Sequence, residues 1–157
     1  MERVVVQVPA KINLTLDVTG RRDDGYHLIH SVMQSVELCD TVTVKLTGAA
    51  AGLELSADDE RVPCDESNTA LRAARAFLDA AKEKSGAAIH LHKVIPMQAG
   101  LAGGSADAAG VIAALDYLLD TRLPTETLGE IGAAVGADVP FCLLGGAAEA
   151  EGTGTVL

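Results

Sequence analysis

The first half of the chain alternates between apolar and polar residues with the two-residue period of a β-strand. Residues 4–8 are rich in valine, and the alternation is strict over residues 11–18. A regular strand places alternate residues on opposite faces. We therefore expect the apolar residues of this strand to face the core. The polar residues between them, which include Lys11 and Asn13, are expected to face solvent. The apolar set is Ile12, Leu14, Leu16 and Val18.

Further strands are predicted after a turn-rich segment at residues 19–25. Residues 27–37 and the alternating residues 40–47 each favour a strand, and residues 48–63 favour a loop or hairpin around a short strand at residues 53–55.

Helical spacing of apolar residues appears in the second half. Ser67 or Asn68 caps a predicted helix that ends near Gly86, followed by a strand over residues 87–95 and a loop over residues 96–104. Two more helices are predicted, over residues 105–119 and from Thr125 to Gly136. No repeat or linker divides the chain, and this order predicts one α+β layer rather than alternating β-α-β units.

Composition narrows the class of protein. With 48% apolar and 22% charged residues the 157-residue chain is typical of a globular domain, and its longest stretch poor in charge contains glycines, Pro140 and Asp138, unlike a membrane span. The net charge is −10 and the basic residues are scattered, which argues against nucleic acid as a partner.

The cysteines and the N-terminus indicate a compartment. Cys39, Cys64 and Cys142 lie far apart and cannot all pair, which favours a reducing cytoplasm. The first residues lack the apolar core of a signal peptide. His90 and His92 alternate in a predicted strand without acidic or cysteine residues at ligand spacing, so we interpret them as ordinary strand residues rather than a metal site.

The most informative segment is rich in glycine and alanine and connects a predicted strand to a helix. Such a connection brings backbone amides and the positive end of a helix close to a bound anion, so it is either a phosphate cradle or a flexible turn before a helix of small residues. It is neither a Walker loop nor a dinucleotide fingerprint. Its residues are Pro96, Met97, Gln98, Ala99, Gly100, Leu101, Ala102, Gly103, Gly104, Ser105 and Ala106.

This segment resembles the Pro-x-x-x-Gly-Leu-x-Gly-Gly-Ser phosphate motif of the GHMP kinases. Residues 9–14, 22–27 and 136–141 are similar to the branch of that superfamily that phosphorylates the 2-hydroxyl of a cytidine-diphosphate-linked methylerythritol in the non-mevalonate isoprenoid pathway. The resemblance covers nearly the whole chain. It implies a mixed, largely antiparallel sheet with helices packed on one side, a fold type shared with a ribosomal protein.

Two polar residues match the catalytic pair of this family. From the strand pattern alone Lys11 is a solvated lysine, and Asp138, set among small and apolar residues, must cap a turn, pair with a cation or reach a cleft. The resemblance implies that Asp138 takes or orients the proton of a substrate hydroxyl and that Lys11 fixes Asp138 and stabilises charge.

The resemblance also implies ligands for other residues. ATP binds along residues 96–106, and Ser105 contacts a phosphate or Mg²⁺, for which no matching acidic ligand is found. Asn13, Tyr26 and His27 match substrate-binding residues, with Tyr26 packing on the cytidine and His27 bonding to its base. Without the resemblance, Tyr26 and His27 would be a strand-entry aromatic and a surface histidine.

Three residues of the loop depart from the family pattern. Gln98 and Ala102 replace common glycines, and Ala106 replaces a common serine. Family members continue into a second domain, so we expect residues 1–157 to form the N-terminal, ATP-binding domain without the C-terminal one. The hypotheses are an N-terminal kinase domain, a non-catalytic nucleotide-binding fragment, or an interaction module. A small-molecule substrate, no nucleic acid and no membrane are expected, and the oligomeric state is not predicted.

Overall fold

A computed structural model describes residues 3–23, 25 and 27–157. Its strands are β1 (Arg3–Arg21), β2 (His27–Thr47), β3 (Leu53–Ala57), β4 (Gly86–His92) and β5 (Ala147–Gly152). Its α-helices are α1 (Thr69–Ala81), α2 (Gly103–Leu119), α3 (Thr125–Val135) and α4 (Val139–Leu144), with a short 3₁₀ turn at Ala49–Ala51.

The five strands form one mixed sheet in the order β1-β2-β4-β3, with β5 also paired to β2. Only the β3–β4 pair is parallel among the described strands. Because β2 has 21 residues, its two halves pair with different strands: the first half with β5 and the second with β4. The predicted α+β class and mixed sheet are confirmed.

The helices pack on one face of the sheet and form the main core with the strands. The layers approach closely at Gly110 of α2, where an added Cβ would lie 2.5 Å from Cγ1 of Val8 and 3.1 Å from Cγ2 of Val42. A side chain at this position would push the helix away from the sheet. The three predicted helices are confirmed, and Asn68 caps α1 through Oδ1, which accepts from the Ala70 amide at 2.8 Å.

The predicted faces of β1 are wrong beyond residue 13. Asn13 lies opposite Met33 but Thr15 lies opposite Val32, so a β-bulge inserts one residue into the strand. One extra residue exchanges the two faces. Leu16, opposite Ser31, therefore lies on the same face as Asn13 instead of the opposite one.

The exposure of the residues also differs from the expectation, because residues 14–19 are exposed on both faces of the strand. Leu14, Leu16 and Val18 are each more than half exposed, whereas Lys11 is 7% exposed. The lengths of the elements explain this, because the 19 residues of β1 span roughly 60 Å. The 17 residues of α2 span only roughly 25 Å, so the helical layer covers part of the strand.

Two short elements were not predicted. The stretch of residues 131–148 that is poor in charge contains α4 and the beginning of β5, and its glycines at positions 145 and 146 have positive φ. Strands predicted separately in the first half are continuous in the structure. Of the helices described, none is both long and apolar enough to cross a membrane.

Candidate active site

The glycine-rich segment connects β4 to α2 and has an unusual backbone. Every second residue has positive φ: Gln98 at 58°, Gly100 at 75° and Ala102 at 57°. Alternation of this kind turns successive N–H groups towards one side and forms an anion-binding concavity. Helix α2 begins at Gly103 rather than at the expected Ser105, and the first N–H groups of a helix have no intrahelical acceptor. The segment can therefore hold an anionic group.

A cavity of about 380 Å³ lies against this loop. Residues 96–105 line it, together with residues around the start of α1, including Asn68, and with Lys93 and Asp107. Ala106 is fully buried and does not line the cavity. A Cβ on either of two glycines here would be in tight contact, because a Cβ on Gly103 would lie 3.0 Å from Cγ2 of Ile95 and one on Gly104 would lie 3.1 Å from Oγ1 of Thr69.

A buried ionic cluster joins both ends of the loop to the sheet. Lys93, just before the loop, donates from Nζ to Asp40 and, at 2.6 Å, to Oδ2 of Asp107 in α2. These three side chains are 6%, 0% and 5% exposed. The other oxygen of Asp40 accepts from the amide of Ile95 at 2.7 Å. The cluster holds the entry to the loop, the start of α2 and β2 together.

The charges in this cluster do not balance, since one ammonium faces two carboxylates. Burial lowers the pKa of Lys93, but attraction to Asp107 and Asp40 outweighs burial and the net shift is upwards. Burial raises the pKa of Asp107 to about 6, Lys93 opposes this, and Asp40 adds to it. Oδ1 of Asp107 is buried and has no hydrogen-bond partner in the part of the chain that the structure describes.

Lys11 and Asp138 meet in the structure. Lys11 Nζ lies 3.2 Å from Oδ1 of Asp138, which immediately precedes α4, and donates at 2.8 Å to Oδ1 of Asn13. The backbone N–H of Lys11 donates to the carbonyl oxygen of Leu101 at 3.1 Å, which joins β1 to the glycine-rich loop. Of the three alternatives given for Asp138, the structure shows the pairing with a cation. Lys11 is buried, which differs from the solvated lysine expected from the strand pattern.

The remaining expected site residues lie elsewhere or outside the described residues. His27 is exposed at the start of β2, opposite Arg21, whereas Lys11 is opposite Ser35 near the middle of β2. The prediction for Tyr26 falls outside the residues that the structure describes. The structure thus brings Lys11, Asn13, Asp138 and the loop together and leaves His27 apart from them.

Sequence reasoning missed four polar residues next to this site: Asp40, Lys93, Asp107 and Ser31. Lys93 and Asp107 flank the glycine-rich segment, and this position in the sequence could have identified them as residues of the site. Nothing in the local pattern marks Asp40 or Ser31, because each is defined by neighbours on other strands.

A separate acidic group surrounds His30 on the sheet surface. Nε2 of His30 lies 2.5 Å from Oε1 of Glu149, and Glu151 completes the set. The hydrogen bond to Glu149 raises the pKa of His30. In the described part of the chain, this is the one group of three such side chains with ligand atoms within 4.8 Å of one another.

Comparison with known proteins gives the class of the chain. Residues 68–146 match the model of the GHMP kinases N terminal domain. The mevalonate kinase of Methanococcus jannaschii shares the fold, with 18% sequence identity and a TM-score of 0.73. The match covers 97% of this chain and 54% of the mevalonate kinase chain. The chain belongs to the GHMP kinase family, as its motifs indicated.

More similar relatives carry one name. Those from Exiguobacterium sibiricum (48% identity; 98% of this chain, 54% of the relative) and Bacillus subtilis (44%; 97% and 52%) are each named 4-diphosphocytidyl-2-C-methyl-D-erythritol kinase. The chain in a crystal structure of 4-(cytidine 5'-diphospho)-2C-methyl-D-erythritol kinase has 40% sequence identity to this chain and a TM-score of 0.80. The match covers 98% of this chain and 54% of that chain. The chain spans about half the length of the curated relatives it matches.

Proposed function

We propose that the chain is the N-terminal, ATP-binding domain of a kinase that phosphorylates the 2-hydroxyl of 4-diphosphocytidyl-2-C-methyl-D-erythritol. The observation that carries the proposal is the Lys11–Asp138 contact of 3.2 Å beside the glycine-rich loop. The proposed substrate is taken from the names of the similar relatives. The three cysteines are free, which supports action in a reducing cytoplasm.

The loop suits the phosphates of ATP. Alternating positive φ values and the start of a helix turn N–H groups towards a bound anion, and Ser105 is among the residues that line the same cavity. Mg²⁺ prefers oxygen ligands, and Ser105 would offer one to an ion carried on the phosphates. ATP supplies the transferred phosphoryl group.

Lys11 and Asp138 would perform the transfer. Asp138 orients the substrate hydroxyl and accepts its proton, and the Lys11 ammonium stabilises the charge that develops on the phosphoryl oxygens. We propose that Tyr26 packs on the cytosine and that His27 bonds to it. Asn13 has a second N–H beyond the one bonded to Ser31, and we propose that this N–H contacts the substrate.

A non-catalytic nucleotide-binding fragment is the second candidate, favoured by the position of the cavity. It is lined by the loop, but not by Lys11 or Asp138. An RNA-binding module is disfavoured by the net charge of −10.

Calorimetry with ATP and Mg²⁺, followed by a phosphorylation assay with the cytidylyl substrate, tests these functions. The assay uses the 157-residue chain alone and joined to the C-terminal half of the Bacillus subtilis relative. Asp138→Asn in the joined protein is expected to lower kcat by about 10²–10⁴-fold while ATP binding is retained, and Asp120→Asn, at an exposed position, serves as the control. Binding without transfer in both forms would leave only the nucleotide-binding function, and retained turnover in Asp138→Asn would refute the role of Asp138.

A further inference from the structure

Ser31 is a fully buried polar residue in the middle of the sheet, next to the Lys11–Asp138 pair but not in contact with either. It lies on β2 between β1 and β5, opposite Leu16 on one side and Ala150 on the other. A hydroxyl buried in this way is costly unless it is hydrogen-bonded. Ser31 Oγ makes two bonds: it donates to the carbonyl oxygen of Thr15 at 2.7 Å and accepts from Nδ2 of Asn13 at 2.6 Å.

The directions of these bonds are determined by chemistry. A hydroxyl has one proton, and that of Ser31 is used on the Thr15 carbonyl, which can only accept. Ser31 therefore offers only lone pairs to Asn13 and selects the amide nitrogen. The amide oxygen of Asn13 then points to the other side, where Lys11 Nζ donates to it at 2.8 Å.

The same chain of bonds specifies the role of Lys11. An ammonium has three N–H bonds and no acceptor. One donates to Asn13 Oδ1, and the ammonium also forms an ion pair with Oδ1 of Asp138 at 3.2 Å, so Lys11 is held between these two oxygens. If the amide of Asn13 turned over, its NH₂ group would face the ammonium, and two donors would oppose each other inside a buried site.

We propose that Ser31 is a positioning residue: it orients the amide of Asn13 and, through that amide, holds the Lys11 ammonium against Asp138. The catalytic part of this inference rests on the proposed kinase function. A small displacement of a catalytic group is enough to lower a rate strongly, so a single buried hydroxyl on a different strand contributes to the alignment of the pair.

Nuclear magnetic resonance of the isotope-labelled 157-residue chain tests the network without reference to activity. In the unmodified chain the side-chain amide proton of Asn13 that is bonded to Ser31 should be protected from exchange and should lie close to the Ser31 methylene protons. Ser31→Ala should accelerate the exchange of this proton by about five- to tenfold, the loss expected for one hydrogen bond. Ser31→Thr keeps the hydroxyl and should restore the protection.

Ser56→Ala is the control, because Ser56, an exposed residue on β3, also donates a hydroxyl hydrogen bond, to the Ile89 carbonyl oxygen, away from this network. It should leave the Asn13 signals unchanged. A folded Ser31→Ala chain with unchanged Asn13 exchange would overturn the proposal. If Ser31→Ala does not fold, the proposal is tested by the proximity of Asn13 to Ser31 and by the protection of Asn13, both measured in the unmodified chain. The absence of either would overturn the proposal.

The joined protein described above gives the kinetic readout. Ser31→Ala should lower kcat by about tenfold or more with an unchanged KM for ATP, and Ser31→Thr should recover most of the rate. If no form of the joined protein showed turnover, the kinase function would be contradicted. The hydrogen-bond network would then be tested by the exchange measurement alone. Normal turnover in Ser31→Ala, together with altered Asn13 exchange, would overturn the positioning role alone.

Discussion

Lys93 and Asp107 lie on opposite sides of the glycine-rich loop in the sequence, yet Nζ of Lys93 is 2.6 Å from Oδ2 of Asp107. The loop is therefore clamped at both ends by one ammonium, which is also bonded to Asp40 in β2. A loop with strained φ values needs such support, because the surrounding structure must hold it in place. The stability of the chain and the shape of the cavity are consequently linked.

Removal of the ammonium should be severely destabilising. Lys93→Met leaves two buried carboxylates without a counter-charge, and we expect the free energy of unfolding to fall by about 3–5 kcal/mol. Urea unfolding measures this. Lys84→Met, at an exposed position, is the control and should change stability by less than about 0.5 kcal/mol. Equal effects of the two substitutions would show that the cluster does not stabilise the fold.

Asp107 should make stability depend on pH in an unusual direction. Its pKa is raised to about 6 in the folded chain, so the folded state binds the proton more tightly than the unfolded state does. The contribution of this group is fully present below its unfolded pKa and is lost as the pH rises through about 6.

The comparison of unfolding free energies for the unmodified chain and Asp107→Asn isolates this group. Between about pH 4 and about pH 7 the difference should shift in favour of Asp107→Asn by about 2–3 kcal/mol. Carboxylates outside the Lys93 cluster cancel in the comparison. A constant difference across this range would contradict the raised pKa of Asp107.

Ala102→Gly should stabilise the chain. Ala102 has a φ of 57°, a conformation that glycine adopts without the strain caused by a Cβ. We expect the free energy of unfolding to rise by about 0.5–1 kcal/mol, measured by urea denaturation. Ala99→Gly, in the same loop but without positive φ, should lower it instead. The same sign for both substitutions would refute the argument from strain.

The exposure of Leu16 on β1 can be tested by two threonine substitutions, one at Leu16 and one at a buried residue of β2. Leu16 is 56% exposed, so Leu16→Thr should cost less than about 1 kcal/mol of unfolding free energy. Val44 is fully buried, and Val44→Thr buries a hydroxyl at a cost of about 1–3 kcal/mol. Thermal unfolding of both variants compares them. A larger loss for Leu16→Thr would mean that this side chain is covered in solution.

Local signals in the sequence were sufficient for the three longer helices and for the loop. The Asn68 cap, the helical spacing that follows it and the glycine-rich connection depend on neighbouring residues, so each appears correctly in the structure. Ala102 stands where the family commonly has glycine, and its positive φ agrees with that departure. The meeting of Lys11 with Asp138 came from the resemblance to a family, since the two are distant in the chain and no spacing rule relates them.

Several features depend on contacts that no local pattern encodes. The bulge near Asn13 is held by Ser31 and Val32 of β2, which bond to the carbonyl oxygen and the hydroxyl of Thr15. Strict alternation in the sequence could not show it, and the predicted faces were therefore exchanged. Likewise, β5 is a strand because β2 offers it a free edge, although its own sequence is mostly small and acidic residues.

By itself, then, the sequence determined the three longer helices, the first four strands and the position of the glycine-rich connection, because these follow from backbone propensity and the spacing of neighbours. Only the tertiary structure decided which face of β1 is buried, which charges surround Lys93, and how Ser31 and Asn13 orient Lys11. Those outcomes depend on the pairing of strands and on the cost of burying unpaired polar groups, which the whole fold determines.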